Sequence, residues 1–241
     1  MALVSDVHAN LPAFQAVLAD VDRAGVEETW CLGDLVGYGA QPDACVALAA
    51  ERCRVCLTGN HDLAVLGELD IRDFSGLAAA AVEWTRGRIG EESVNYLAGL
   101  EPMDTSHAIG LYHASPRDPV WEYVLSTPQA EICLETMDAR VGAIGHSHVA
   151  LRFWQEDGGR ASGRQAPGGS EAELGHGRWL INPGGVGQPR DGDPRAAWLL
   201  LDLEGMTASW RRVEYPIDEA ADAIRTAGLP QALSDRLFQG Q

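Results

Sequence analysis

Leu3-Val4-Ser5-Asp6-Val7-His8 is a short β-prone run that stops in a carboxylate and an imidazole, and the chain repeats that plan four more times. Thr29-Trp30-Cys31-Leu32 leads into Gly33-Asp34, and Val55-Cys56-Leu57 into Gly59-Asn60-His61-Asp62. Gly110-Leu111-Tyr112 leads into His113, and Val141-Gly142-Ala143-Ile144 into Gly145-His146-Ser147-His148. Short apolar runs bounded by Gly and polar clusters are strand candidates. Ligands in open α/β sheets gather beyond the carboxyl ends of the strands. Five strands that each end in a metal-type ligand therefore predict one site along one sheet edge.

The stretches between these runs predict the layering. Leu3–Ser5 is followed by a helix near Pro12–Ala24, with Pro12 suited to a first turn. Thr29–Leu32, a helix over Pro42–Ala50 and a strand over Arg54–Leu57 complete a βαβαβ order, which implies parallel strands covered by helices. Residues 63–108 then break the alternation. Leu77–Val82 and Ser93–Leu97 read as helical, so this stretch is a helical insertion, either a cap beside the site or ordinary outer-layer helix. Strands resume at Ala108–His113, followed by a helix over Pro128–Met137 with Thr127 as its N-cap, and a strand over Val141–Gly145. Val149–Gln155, Arg178–Asn182, Ala196–Asp202 and Thr207–Val213 read as consecutive antiparallel strands. Residues 157–177 are rich in Gly, Ser and Glu and read as a flexible loop. Asp218–Thr226 is a last helix. With no convincing linker, residues 1–241 are expected to form a single domain.

Composition narrows the function. The 241 residues carry a net charge of −17, from 35 acidic and 18 basic residues, and every basic residue is Arg. A catalytic lysine is thereby excluded. An acidic chain without a basic track is a poor match to long nucleic acid. No apolar stretch is long enough to span a bilayer, and the first residues enter a strand at once, so no membrane partner and a cytoplasmic location are expected. The five cysteines fit a reducing compartment. Cys53-x-x-Cys56 has the spacing of half a zinc knuckle, but lacks a second pair and reads as strand thiols.

The polar clusters carry the chemistry. Asp6 and His8 lie two apart, so on an extended strand end both side chains face the same way, and His146 and His148 repeat the geometry. Five of the seven histidines fall in the clusters, which leaves only His107 and His176 outside. Asp6, His8, Asp34, Asn60, His113, His146 and His148 form a mixed N/O donor set that suits Mn, Fe, Zn, Ni or Co. Seven donors exceed the needs of one ion and suit two divalent transition-metal ions with a bridging carboxylate. Such pairs lie roughly 3.5–4 Å apart and clamp an in-line displacement, and a hydroxide held between them is the expected nucleophile.

The combination Asp6-x-His8, Gly33-Asp34-x-x-Gly37, Gly59-Asn60-His61-Asp62, His113 and Gly145-His146-Ser147-His148 resembles the calcineurin-like metallophosphoesterase superfamily over roughly residues 3 to 203. Within it, the chain looks most similar to the small bacterial YfcE-like phosphodiesterases. Asn182-Pro183-Gly184-Gly185 also resembles that branch, with Gly185 where Ser is usual. The resemblance implies an α/β (α+β) fold: a four-layer αββα sandwich of two mixed sheets with flanking helices and a dinuclear metal site at the strand C-terminal ends. It also implies roles. Asp6, His8 and His148 would hold one metal, Asn60, His113 and His146 the other, and Asp34 would bridge. His61 would face the phosphate and protonate or stabilise the leaving oxygen. Asp62 would orient His61 through its ring N–H, or cap the helix that follows. Asn10, Tyr38, Arg117 and Arg190 are candidates for substrate contact or solvated loop residues. Trp154, Trp179, Trp198 and Trp210 read as sheet packing.

The expected activity is hydrolysis of a phosphodiester or phosphomonoester bond in a small phosphorylated substrate. Alternatives are a serine/threonine-type protein phosphatase, a dinucleotide polyphosphate hydrolase, a nuclease, and a non-catalytic binding module like the retromer subunit of this fold. The nuclease lacks its basic track, and the intact ligand set speaks against the binding module. Self-association into a homo-oligomer is left open.

Overall fold

A computed structural model describes residues 1–241. The element order is β1 (Ala2–Val4), α1 (Leu11–Arg23), β2 (Thr29–Cys31), α2 (Pro42–Arg52), β3 (Cys53–Cys56), α3 (Asn60–Leu66), a 3-10 turn (Ile71–Asp73), α4 (Gly76–Arg86), α5 (Glu91–Leu97) and β4 (Met103–Asp104). Then follow β5 (Gly110–Tyr112), α6 (Thr127–Thr136), β6 (Val141–Ala143), β7 (Leu151–Gln155), β8 (Ser162–Gln165), β9 (Glu171–Glu173) and β10 (Arg178–Asn182). β11 (Ala196–Asp202), β12 (Thr207–Val213), α7 (Ile217–Thr226), α8 (Gln231–Asp235) and a 3-10 turn (Arg236–Gln239) close the chain.

The strands form two six-stranded mixed sheets, ordered β3-β2-β1-β11-β12-β9 and β4-β5-β6-β10-β7-β8. β1, β2 and β3 run parallel, as the βαβαβ reading requires, and so do β5, β6 and β10. Side-chain alternation sorts the core into layers. In β1, Ala2 and Val4 join the cluster under α1, α2 and α7, while Leu3 points the other way into the cluster between the sheets. In β11, Trp198 faces the helices and Leu199 and Leu201 face the second sheet. A third cluster seats α6 on the outer face of the second sheet through Ala130, Cys133 and Leu134. The result is the four-layer αββα sandwich. No helix is long and apolar enough to cross a membrane.

Four expectations change. Residues 157–177 are not simply a loop: they contain β8 and β9, which extend opposite sheets at their edges. Their backbone is paired although their Gly-rich composition carries no apolar signal, because edge strands that bury little need none. Likewise, the four late strands are not one meander. β7 and β10 belong to the second sheet and β11 and β12 to the first, so the chain changes layer between Asn182 and Ala196. At α6 the N-cap is Ser126, not Thr127, because the Gln129 side chain returns to the Ser126 N–H in a capping box. Finally, α8 and the turn after it follow Pro230, in a stretch too short for helical periodicity to show.

Candidate metal centre

The site forms where the parallel strands of both sheets end. β1 supplies Asp6 and His8, β2 leads to Asp34 and β3 to Asn60, all from one sheet; β5 leads to His113 and β6 to His146 and His148, from the other. The backbone turns sharply at five of the seven ligands. Asp6, His8, Asp34, His146 and His148 all have positive φ, between 49° and 60°. This left-handed conformation is uncommon and strained for residues with a Cβ, and such strain clusters at functional sites. Neighbouring loops hold it in place: the Asp6 N–H donates to Gly33 O at 3.0 Å, and the His8 N–H to Asp34 O at 2.9 Å.

Two clusters of ligand atoms result, Asp6–His8–Asp34–His148 and Asp34–His113–His146, and all six residues are buried. Asp34 belongs to both. Its Oδ2 lies 3.5 Å from His8 Nε2 and 3.6 Å from His113 Nε2, while its Oδ1 accepts the His61 N–H at 2.9 Å. Asn60 Oδ1 lies 3.2 Å from His113 Nε2 and completes the second cluster. Gly59 must lack a side chain, since a Cβ there would collide with the Asp34 carboxylate.

The donors fit divalent cations. His8 Nδ1 faces Val36 O at 3.0 Å, His113 Nδ1 faces Leu32 O at 2.8 Å, and His148 Nδ1 faces Gln188 O at 2.6 Å. A carbonyl accepts only, so each Nδ1 carries the proton and each Nε2 presents a lone pair, as second-sphere carbonyls do for metal-binding histidines. His8 Nε2 and His148 Nε2 then meet lone pair to lone pair at 3.1 Å, a contact that a cation between them would relieve. Asp6 Oδ1 and Oδ2, Asp34 Oδ2 and His146 Nε2 are buried without any hydrogen-bond partner. Unsatisfied buried acceptors are costly, and here they converge on the same space.

Protonation follows from that burial. Burial pushes the Asp6 carboxyl up to about 7. It also raises Asp34, with the Asp62 charge adding to the effect. His8, His146 and His148 are driven well below the usual imidazole value by burial first. His8, His146 and His148 are therefore held in the neutral, ligand form.

Beside the ligands opens a cavity of about 360 Å³, whose wall includes Tyr38, Asn60, His61, Phe74, Tyr123 and Arg190. Its size suits a small ligand. The His61 ring packs against Tyr38 and Phe74, with centroids 4.4 and 5.2 Å away. The ring of Tyr123 covers His146 at 4.1 Å. Arg190 lies over Tyr38 at 5.5 Å and has no carboxylate partner.

Residues 1–206 match the calcineurin-like phosphoesterase superfamily domain. The chain belongs to that superfamily. It is 34% identical over 246 residues to the uncharacterized protein MJ0912 of Methanocaldococcus jannaschii, an alignment covering 100% of this chain and 98% of that one. It is similar in structure to a metallophosphoesterase from Sphaerobacter thermophilus, at TM-score 0.90 and 36% identity, covering 100% and 98% of the two chains. The fold is shared with hypothetical protein PH1004 from Pyrococcus horikoshii OT3, at TM-score 0.82 and 20% identity, again over 100% and 98%.

Seven sequence-predicted ligands thus converge on one place, and His61, Tyr38 and Arg190 sit beside them. Three expected contacts are not made, although for Asp62 the alternative of capping α3 holds. Asp62 does not touch the His61 ring: its carboxylate accepts the N–H groups of Gly59, Leu35 and Val36 at 3.0–3.2 Å, and His61 Nδ1 has no partner. Asp62 therefore ties the Asp34 loop to the start of α3, because as the third residue of that helix it faces the free N–H groups of the preceding turn. Asn10 is buried as the N-cap of α1, accepting the Ala13 N–H at 3.2 Å and donating to Gly187 O at 2.8 Å. Arg117 pairs with Glu122 at 3.3 Å, in a turn fastened by the Ser115 hydroxyl, and does not line the cavity. Conversely, Asp73, Phe74, Ser75, Ala78, Trp121, Tyr123 and Arg236 line it without having been singled out. Their separation from the motifs along the chain hides them; only the fold brings the start of α4, the loop after β5 and the C-terminal turn to the same opening.

Proposed function

We propose that this protein is a two-metal phosphoesterase acting on a phosphodiester or phosphomonoester bond of a small phosphorylated molecule. One observation carries the reading: Asp34 Oδ2 is shared by both ligand clusters, directly beside a cavity that holds His61 and Arg190. Asp6, His8, Asp34 and His148 would hold one divalent ion, and Asp34, Asn60, His113 and His146 the other. Ions bound there would supply Lewis-acid charge and bring the pKa of water from about 15.7 toward about 7, so that a nucleophile forms at neutral pH without a side-chain base.

The chain's own residues supply orientation and charge. The Arg190 guanidinium can take two phosphoryl oxygens at once. Burial, aided by the charge of Arg190, lowers His61 to about 3. It therefore meets substrate as a neutral ring that donates one N–H hydrogen bond. The negative charge of the bound phosphate would raise the affinity of His61 for a proton, so that the ring takes one from solvent and the imidazolium so formed gives it to the leaving oxygen. The 3-10 turn and the start of α4 form one wall through Asp73–Ser75 and Ala78. The helical insertion thus acts as a cap that limits substrate size, which favours a small molecule over a folded phosphoprotein.

The test is hydrolysis of bis-p-nitrophenyl phosphate and p-nitrophenyl phosphate by metal-stripped protein, with Mn²⁺, Ni²⁺, Co²⁺, Zn²⁺ and Mg²⁺ restored singly. Metal-dependent turnover that is lost in His61→Ala and Asp34→Asn is expected, and the preferred ester decides between diesterase and monoesterase. No turnover with any metal would overturn the enzyme reading in favour of a binding module.

A further inference from the structure

Two arginines, Arg190 and Arg236, line one small cavity of this acidic protein. Arg23, Arg52, Arg72, Arg117, Arg195, Arg212 and Arg225 each pair with a carboxylate. Arg190 and Arg236 pair with no Asp or Glu, and both line the same small cavity. Arg190 donates to Gln188 Oε1 at 3.0 Å, and its buried Nε has no partner. Arg236 donates only from Nε, to the backbone oxygen of Gln241 at 2.7 Å. The cavity that both residues line is about 360 Å³. Two arginines in one cleft, whose single acidic lining residue, Asp73, pairs with neither, form a place for an anion.

Their order along the cavity matters. Arg190 is fastened at the ligand clusters: its backbone N–H donates to His148 O at 3.1 Å, and its guanidinium lies over the Tyr38 ring, which packs against His8 and His61. It therefore suits the phosphoryl group being cleaved. Arg236 lines the same cavity from the C-terminal 3-10 turn, outside the superfamily domain of residues 1–206 and with no such tie to the ligand residues. A guanidinium there meets whatever the substrate carries next to that phosphoryl group, and its planar fork matches the oxygens of a phosphate.

Resting on the two-metal reading above, we propose that Arg236 is a specificity-determining residue that recognises a second phosphate, adjacent to the one hydrolysed, so that the site prefers substrates with at least two linked phosphoryl groups. The segment after residue 206 is then part of the substrate site and not only a cover for the helical layer.

Calorimetric titration tests this with AMP and ADP as probes, at fixed free Mn²⁺, on protein carrying His61→Ala to prevent turnover. In that background, adding Arg236→Ala is expected to weaken ADP binding about tenfold or more, the scale of one lost charged hydrogen bond. AMP binding should stay within about twofold, and Arg236→Lys should restore most of the ADP affinity by restoring the charge. Equal weakening of both nucleotides would mark Arg236 as a packing residue and overturn the proposal, as would unchanged ADP binding. If neither nucleotide binds before Arg236 is altered, the proposal also fails. Turnover of p-nitrophenyl phosphate by the wild-type protein then separates the two levels: if it persists, only the second-phosphate site is lost, and if no metal supports it, the phosphoesterase reading falls as well.

Discussion

At the scale of single residues, the site depends on places where a side chain is forbidden as much as on those where one acts. Gly37 has φ +87°, and a Cβ there would run into the His61 ring. Gly37→Ala should cost about 1–3 kcal/mol through backbone strain alone and push His61 off its position. The expected outcome is a drop in kcat larger than any change in KM, read by steady-state kinetics beside a denaturant titration. Asn182 is a second such point. Its Nδ2 donates to Gly145 O at 2.7 Å and to the Ser147 hydroxyl at 3.1 Å, and its Oδ1 accepts the Gly184 N–H at 2.8 Å. Asn182→Asp replaces the donor with an acceptor facing Gly145 O, so it should lower the melting temperature and weaken metal retention at His146 and His148. Unchanged metal content would contradict that role. The ligands were legible in the sequence because each follows directly on an apolar run. The role of Asp62 was not, because adjacency to His61 suggested a ring contact while helix geometry turns the carboxylate toward backbone N–H groups.

At the scale of elements, the strand ends were readable and the edges were not. β10, β11 and β12 fall on the residues expected, since β12 alternates buried and more open positions and β10 and β11 carry apolar runs that the core buries, β11 on both faces. β8 and β9 escaped notice because both are largely exposed and bury little. The tryptophans show how packing and function meet. Trp210 is buried between the sheets and its Nε1–H donates to Asn182 O at 2.8 Å, just before the turn that approaches His148. Trp210→Phe keeps most of the packing and should cost about 1 kcal/mol for the lost hydrogen bond. Trp210→Ala should cost about 3–5 kcal/mol. Chemical denaturation of both variants checks the difference, and near-equal losses would show that the indole N–H, not the ring volume, dominates.

At the scale of the molecule, the ligands come from both sheets, so bound cations would join the two halves of the sandwich. Metal should therefore raise the melting temperature, and the size of that rise should depend on pH. Asp6 has a folded value of about 7 against an ordinary 3.8. Without metal, its contribution to stability is present below about 4 and is lost as pH rises through about 7. The buried histidines act in the opposite sense: their values are lowered, so their contribution is present above about 6.5 and is lost as pH falls. Cations need both groups deprotonated. The gain in melting temperature from Mn²⁺ should accordingly be larger at pH 8 than at pH 5.5, and a gain that shrinks with rising pH would contradict the assignment of these residues as ligands. The most direct measurement is elemental analysis of metal per chain, after Mn²⁺ loading and desalting, for the wild-type protein and Asp34→Asn. Shared ligation through Asp34 predicts two ions per chain in the wild type and loss at both positions, to less than one, in the variant. A single ion in the wild type, or full loading of the variant, would contradict a dinuclear centre bridged by Asp34.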